Sequence, residues 1–336
     1  MEKLEGANAP DPTGLLERLK SRVVGHPQAL EELVAALARR AAQLGTDKRP
    51  IGAFLLVGPT GSGKTVLAQR LAELVVGRPD ALIRIDCAEF GASHEVAKLI
   101  GAPPGYLGHR ETSALLSAQR LANGTRGDDA PFGRVSFVLF DEVDKAHEKV
   151  LDMLLGILDN GKLTLGDNTA VHFHNTLILL TANTGSKEVM EGLGAARLGF
   201  RSLLPVTDED LVKAGTSAET AVRRSLRPEF LNRLDKVLVF SQLTESEVQE
   251  ICQLELADLE ERCLKGPSIG LTASGQVKEY LAHKGYDPRF GARHLKRIII
   301  QEVERPIANL IVAGRIQRGQ VVRVELGPDG GLEFYA

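Results

Sequence analysis

Residues 53–57, Ala-Phe-Leu-Leu-Val, form an apolar run that passes directly into Gly58-Pro59-Thr60-Gly61-Ser62-Gly63-Lys64-Thr65, where a helical pattern begins. This GxxxxGK[ST] spacing between a strand and a helix constrains the fold more than any other feature of the chain. The glycines let successive backbone N–H groups turn inward around an anion, and the following helix N-terminus adds the positive end of its dipole. In such a cradle the Lys64 ammonium reaches the outer phosphates of a nucleotide and the Thr65 hydroxyl ligates Mg²⁺.

Downstream, further apolar runs at Leu82 to Ile85, Val135 to Phe140 and Leu177 to Thr181 alternate with helical stretches from Lys64, near His94 and near Val150. Strands separated by helices predict an α/β fold with a mostly parallel, doubly wound sheet, its functional loops at the carboxyl ends of the strands. Upstream, helical spacing over Leu15 to Lys20 and Gln28 to Gln43 flanks a bend at Val23-Val24-Gly25-His26-Pro27. After Val237 to Phe240 the pattern changes. Glu245 to Lys265 reads as one amphipathic helix with Val248, Ile251, Leu254 and Leu259 on one face. The segment then continues with Thr272 to Lys284, a Gly/Pro turn over 285–291, a helix from Ala292 to about Val312, and a terminal hairpin of Gln320 to Leu326 with Leu332 to Tyr335. The expected organisation is a disordered lead-in over 1–14, a large ATPase domain over 15–243 and a small α-rich domain over 244–336.

Two carboxylates turn a phosphate cradle into a candidate hydrolase. The run Ser136 to Phe140 leads straight into Asp141 and Glu142, so that Asp141 would hold the water shell of Mg²⁺ and Glu142 would polarise the attacking water. The run Leu177 to Leu180 ends in Thr181-Ala182-Asn183, placing an amide at the same sheet edge. An Asn there either orients the water or simply ends the strand in a turn.

Composition narrows the remaining classes. Net charge is −3 with a sequence pI near 6.3, and both signs are interspersed, which argues against a nucleic-acid-coating or membrane-surface protein. Apolar runs are far too short to span a bilayer. Three cysteines without a CxxC fit packing roles in a reducing compartment, with the cytoplasm as the expected location.

Further segments accompany the nucleotide motifs: Arg22-Val23-Val24-Gly25, Arg49-Pro50-Ile51-Gly52, the Gly101–Gly108 segment GAPPGYLG, the Arg227–Asp235 segment RPEFLNRLD and the Gly285–Arg297 segment GYDPRFGARHLKR. Together they resemble the Clp unfoldases of the AAA+ superfamily, specifically the second ATPase module of the ClpB, ClpC and ClpA type, over roughly Arg22 to Leu326. The resemblance implies that Val23 and Val24 line the adenine pocket of ATP. It implies that Asn183 is a first sensor, Arg293 a second sensor, and Arg233 an arginine finger offered to a neighbouring subunit's ATP in a ring, usually a hexamer. Tyr106 and Leu107 would belong to a pore loop that grips an extended client polypeptide, and 161–167 to a lower pore loop. Leu198, Gly199 and Phe200 resemble a tripeptide by which such rings dock on a peptidase.

Two functions follow from different classes. One is a ring-forming unfoldase or chaperone that threads polypeptides through its pore, with or without a peptidase; the other is a nucleotide-gated scaffold that does not unfold clients processively. Departures from the family are a longer segment over 123–133 and the lack of the family's N-terminal domain, first ATPase module and middle domain. The expectation is a single-ring protein or an excised module.

Overall fold

The computed structural model describes residues 10–45, 48–92, 95–101, 114–125, 130–183, 220–222, 224–287 and 291–336. The chain forms two compact units, one of residues up to Pro59 with Gly63–Ser241, the other of Thr60–Ser62 with Gln242–Ala336.

The first unit is built on a five-stranded sheet of β1 (Gly52–Val57), β2 (Leu82–Asp86), β3 (Ser136–Asp141), β6 (Thr176–Ala182) and β7 (Lys236–Val239), in the order β2-β3-β6-β1-β7. Every pairing in it is parallel. The three central strands are buried along their whole length, because alternate side chains serve two cores. Leu55, Val57, Val138, Phe140, Ile178 and Leu180 point into one; Phe54, Leu56, Phe137, Leu139, Leu177 and Leu179 point into the other. A parallel sheet needs both faces covered, which explains the near-continuous apolar runs. Helices α1 (Pro12–Lys20), α2 (Pro27–Ala41) and α3 (Lys64–Val76) supply the second core, and α6 (Glu148–Asn160) supplies the first.

Several local features differ from the expectation. The first helix begins at Pro12 rather than near residue 15, because the Asp11 side chain accepts the Gly14 N–H at 2.8 Å and Pro12 occupies a position where no N–H is needed. Around His94, itself outside the described residues, the chain makes only a short 3₁₀ turn at Cys87–Phe90 and a four-residue α4 (Ala97–Ile100). After α5 (Ala118–Asn123) and α6, a small antiparallel pair, β4 (Lys162–Thr164) with β5 (Ala170–His172), carries part of the expected lower pore loop. These strands are too short to leave a period in the sequence. A single turn of helix, α7 (Pro228–Leu231), precedes β7.

In the second unit α8 (Glu245–Lys265) starts at a reciprocal cap between Thr244 and Glu247. Its buried face is Val248, Cys252, Leu256, Leu259 and Cys263, while the expected Ile251 and Leu254 are only half-buried. Next come β8 (Gly270–Ala273), α9 (Gly275–Gly285), α10 (Ala292–Ile299) and α11 (Arg305–Val312). The helix expected to run unbroken to Val312 widens into a π turn over Ile300–Glu304. Pro306 at the start of α11 has no N–H to donate backwards, and the wider turn accommodates that loss. The terminal hairpin of β9 (Val321–Leu326) and β10 (Leu332–Tyr335) is present, and β8 pairs parallel to β9 to make a three-stranded sheet.

Candidate active site

The site is assembled where β1, β3 and β6 end. Past Val57 comes Gly58, where an added Cβ would stand 2.3 Å from the Phe240 carbonyl oxygen, so only glycine lets the loop pass. Pro59, Thr60 and Ser62 complete the loop, in which Gly61 and Gly63 adopt φ of +82° and +98°, conformations that other residues reach only under strain. Lys64 opens α3 and is buried; its Nζ donates to the carbonyls of Gly58 at 2.6 Å and Pro59 at 2.9 Å, and to Asn183 Oδ1 at 3.2 Å.

The carboxylates come from the neighbouring strands. Asp141 is the last residue of β3. Its Oδ1 accepts the Thr181 hydroxyl, and its Oδ2 lies 3.5 Å from Thr65 Oγ1 and 2.6 Å from Arg84 on β2. Thr65 and Asp141 thus present two hard oxygen donors from adjacent elements, the chemistry that Mg²⁺ takes.

Glu142 sits at φ +57°, in the left-handed region, and its N–H donates to Thr181 Oγ1 at 2.9 Å. Of its carboxylate oxygens, Oε1 accepts Asn183 Nδ2 at 3.0 Å and Oε2 accepts the Lys145 ammonium at 2.6 Å. That hydrogen bond holds the Lys145 pKa above its ordinary value. Asn183 therefore joins cradle to carboxylate, receiving a hydrogen bond from Lys64 through Oδ1 and giving one to Glu142 through Nδ2.

The other expected residues are distributed differently. Val23 is buried and Val24 half-buried in the turn after α1. This turn meets the cradle through one aromatic ring, since His26 packs 4.3 Å from the Phe240 ring and Phe240 abuts Gly58. Arg233 is held elsewhere: its Nε lies 2.6 Å from Asp159 Oδ2, and a second nitrogen donates to the Glu229 carbonyl at 2.7 Å. Arg293 is exposed on α10 of the second unit. Tyr106, Leu107, Leu198, Gly199 and Phe200 lie outside the described residues.

Sequence reasoning passed over Arg84, Lys145, Thr181, Asp159 and Phe240. A signal existed for Arg84, a charged side chain interrupting an apolar strand beside the carboxylate strand. Thr181 carried none, because its importance comes from strand register.

Residues 49–237 match the family model described as AAA domain (Cdc48 subfamily), and residues 243–324 match that of the C-terminal, D2-small domain of ClpB protein. The chain is 40% identical over 326 residues to the chaperone protein ClpB of Aquifex aeolicus, covering 95% of this chain and 30% of that one. To the ATP-dependent Clp protease ATP-binding subunit ClpC of Staphylococcus epidermidis it is 39% identical over 320 residues, covering 95% and 37%. A solved S. cerevisiae Hsp104:casein complex in an extended conformation matches with a TM-score of 0.79 and 28% identity over 96% of this chain and 52% of that one. The chain spans about a third of the length of the curated relatives it matches. The first family match covers more than half of the chain and contains Lys64, Thr65, Asp141, Glu142 and Asn183, so the chain belongs to the AAA domain family (Cdc48 subfamily) and carries a ClpB-type D2-small domain after it.

Proposed function

We propose that this chain is the ATP-hydrolysing module of a homo-oligomeric ring, probed first as a hexamer, that unfolds polypeptides by threading them through a central pore. The supporting observation is the Lys64–Asn183–Glu142 chain of hydrogen bonds, which ties the phosphate-binding group to the candidate base. The large ATPase domain is assigned to 15–243 and the small one to 244–336.

In this reading Gly58 to Thr65 bind the phosphates of ATP, and Lys64 neutralises the oxygens whose charge grows as the bond to the terminal phosphorus breaks. Mg²⁺, held by Thr65 and Asp141, supplies further charge neutralisation when bound. Glu142 accepts the proton of the attacking water while Asn183 fixes one carboxylate oxygen, leaving ADP and phosphate as products. Val23 and Val24 face adenine. Arg233, steadied by Asp159, serves the ATP of a neighbouring copy, and Arg293 reports on nucleotide from the small domain. Tyr106 and Leu107 grip the client, and 161–167 form the lower loop. Leu198, Gly199 and Phe200 dock a peptidase ring. The cytoplasm is the assigned location; no described helix is long and apolar enough to cross a membrane.

The test pairs ATP hydrolysis with ATP-dependent unfolding of a tagged fluorescent protein on the same preparations. Tyr106→Ala should keep hydrolysis within a few-fold of the parent and lose most unfolding, while Tyr106→Phe keeps much of it. Full unfolding by Tyr106→Ala, or hydrolysis with no unfolding by the parent, would move the assignment to the nucleotide-gated scaffold.

A further inference from the structure

A cavity lies within the first unit, at the opposite edge of the sheet from the cradle. It measures about 420 Å³ and is lined by Ile51 and Ala53 at the start of β1, by His174 and Asn175 just before β6, and by Asp235 just before β7. The six residues of β1 place it roughly 17 Å from Gly58 along the strand, at about 3.3 Å per residue. Three arginines line it: Arg39 and Arg40 from the end of α2, and Arg49 from the segment before β1.

Among the described residues, none of these three arginines has a carboxylate within ion-pair distance. Arg40 donates to the amide oxygen of Asn175, and Arg49 donates to the carbonyls of Leu158 at 3.0 Å and Arg233 at 2.8 Å. The Arg39 side chain makes no hydrogen bond or ion pair among the described residues. Among the described residues the lining holds one carboxylate, Asp235, and it already accepts the Ala53 N–H at 2.7 Å. Three arginines with no carboxylate partner among the described residues, around a cavity in the size range of ligand sites, suit an anion with several oxygens.

We propose that this cavity binds a compact phosphate-class oxyanion of two or more charges, separately from the nucleotide cradle. Guanidinium forks match tetrahedral oxyanions in geometry, and three of them balance a diphosphate in charge. Because Arg49 also holds the Arg233 carbonyl, an occupant would sit one residue away from the backbone that carries Arg233.

The experiment is calorimetric titration of the full chain bearing Lys64→Ala, which weakens anion binding at the cradle, with inorganic pyrophosphate at low ionic strength. The expected result is one saturable site per chain, at least tenfold weaker after Arg39→Gln and weaker still after Arg39→Glu, with unchanged circular dichroism. The Arg39 side chain is exposed on α2, so these changes leave the fold intact. No saturable binding, or equal affinity in the Arg39 variants, overturns the proposal. Succinate binding as tightly as pyrophosphate overturns the phosphate assignment. Binding confined to dilute, dissociated protein overturns it too, since a neighbouring copy would then fill the cavity. The nucleotide reading is judged apart from all of these, by ATP binding in the parent chain.

Discussion

The guanidinium of Arg84 lies 2.6 Å from Oδ2 of Asp141, the same oxygen that faces the Thr65 hydroxyl at 3.5 Å. Asp141 is 6% exposed, so its charge is largely out of water and depends on the partners the protein gives it. Arg84 reaches it from the adjacent parallel strand, where Asp86 is the residue paired with Asp141 and Arg84 is two residues earlier.

Removing Arg84 leaves that carboxylate with the hydroxyls of Thr181 and Thr65 alone. Loss of one partner from a buried ion pair costs several kcal/mol, but the Arg84 side chain is 52% exposed and its share is correspondingly smaller. Arg84→Ala should therefore lower stability by about 1–2 kcal/mol in urea unfolding without divalent metal. Adding Mg²⁺ with ADP should narrow the gap, because a cation at Thr65 and Asp141 would replace the lost charge. Identical unfolding curves for variant and parent without metal would show that the pair contributes nothing.

Lys64 and Glu142 occupy the two ends of the Asn183 bridge, and their substitutions should separate binding from turnover. Lys64→Ala should abolish measurable ATP binding, whereas Glu142→Gln, of the same shape, should bind ATP with near-parental affinity and hydrolyse it at least a hundredfold more slowly. Equilibrium binding of a fluorescent ATP analogue and single-turnover hydrolysis decide the matter. Equal loss of affinity in both variants would contradict the division of roles.

Arg233 contacts Asp159 and the Glu229 carbonyl rather than the Lys64 group, which is compatible with the action on a neighbouring copy that the family resemblance implies. Arg233→Ala should bind ATP normally and hydrolyse it slowly. When mixed with Glu142→Gln protein, it should recover part of the activity, since some junctions would then join an intact base to an intact arginine. Absence of recovery in rings shown to be mixed would remove the support for action in trans.

What was legible in the sequence was whatever repeats or runs long enough to leave a pattern. Ala53 to Val57 and Leu177 to Leu180 announced central strands because both faces of a parallel sheet are buried, and the spacing from Gly58 to Thr65 announced the cradle. Thr181 was invisible because its hydroxyl matters only through the register that sets β6 beside β3 and puts it between Asp141 and the Glu142 N–H. The inward face of α8 differed for another reason: Ile251 and Leu254 were expected there, and Cys252 and Leu256 hold it. On α8 the apolar residues outnumber one face, so periodicity alone does not choose between Ile251 and Cys252 as the inward position, and packing against α9 and β8 decides. The π turn at Ile300 likewise follows from what Pro306 lacks, and helical spacing continues across it.

Cys87 shows how burial at this sheet edge registers in a titration. Its side chain is fully buried beside β3, and burial first, then the charges of Asp86, Asp141, Asp144 and Glu142, push its thiol up from the ordinary 9.0 to about 12. At pH 8 the thiolate is then on the order of 10⁻⁴ of the population, so Cys87 should resist a thiol reagent in the folded chain and react once the chain is unfolded in urea. The sign of the stability effect follows from proton counts. Between pH 9 and 12 the native thiol keeps its proton while the unfolded thiol has lost it. The unfolded state thus binds fewer protons, and stability falls as pH rises, by up to about 1.4 kcal/mol per pH unit from this one group. Cys252 and Cys263, also shifted upward by burial, are present in parent and variant alike, so Cys87→Ala isolates the contribution. The variant starts less stable because it leaves a small cavity, but its urea midpoint should decline less steeply than the parent's between pH 9 and 10.5, and parallel declines would mean that Cys87 titrates at its ordinary value.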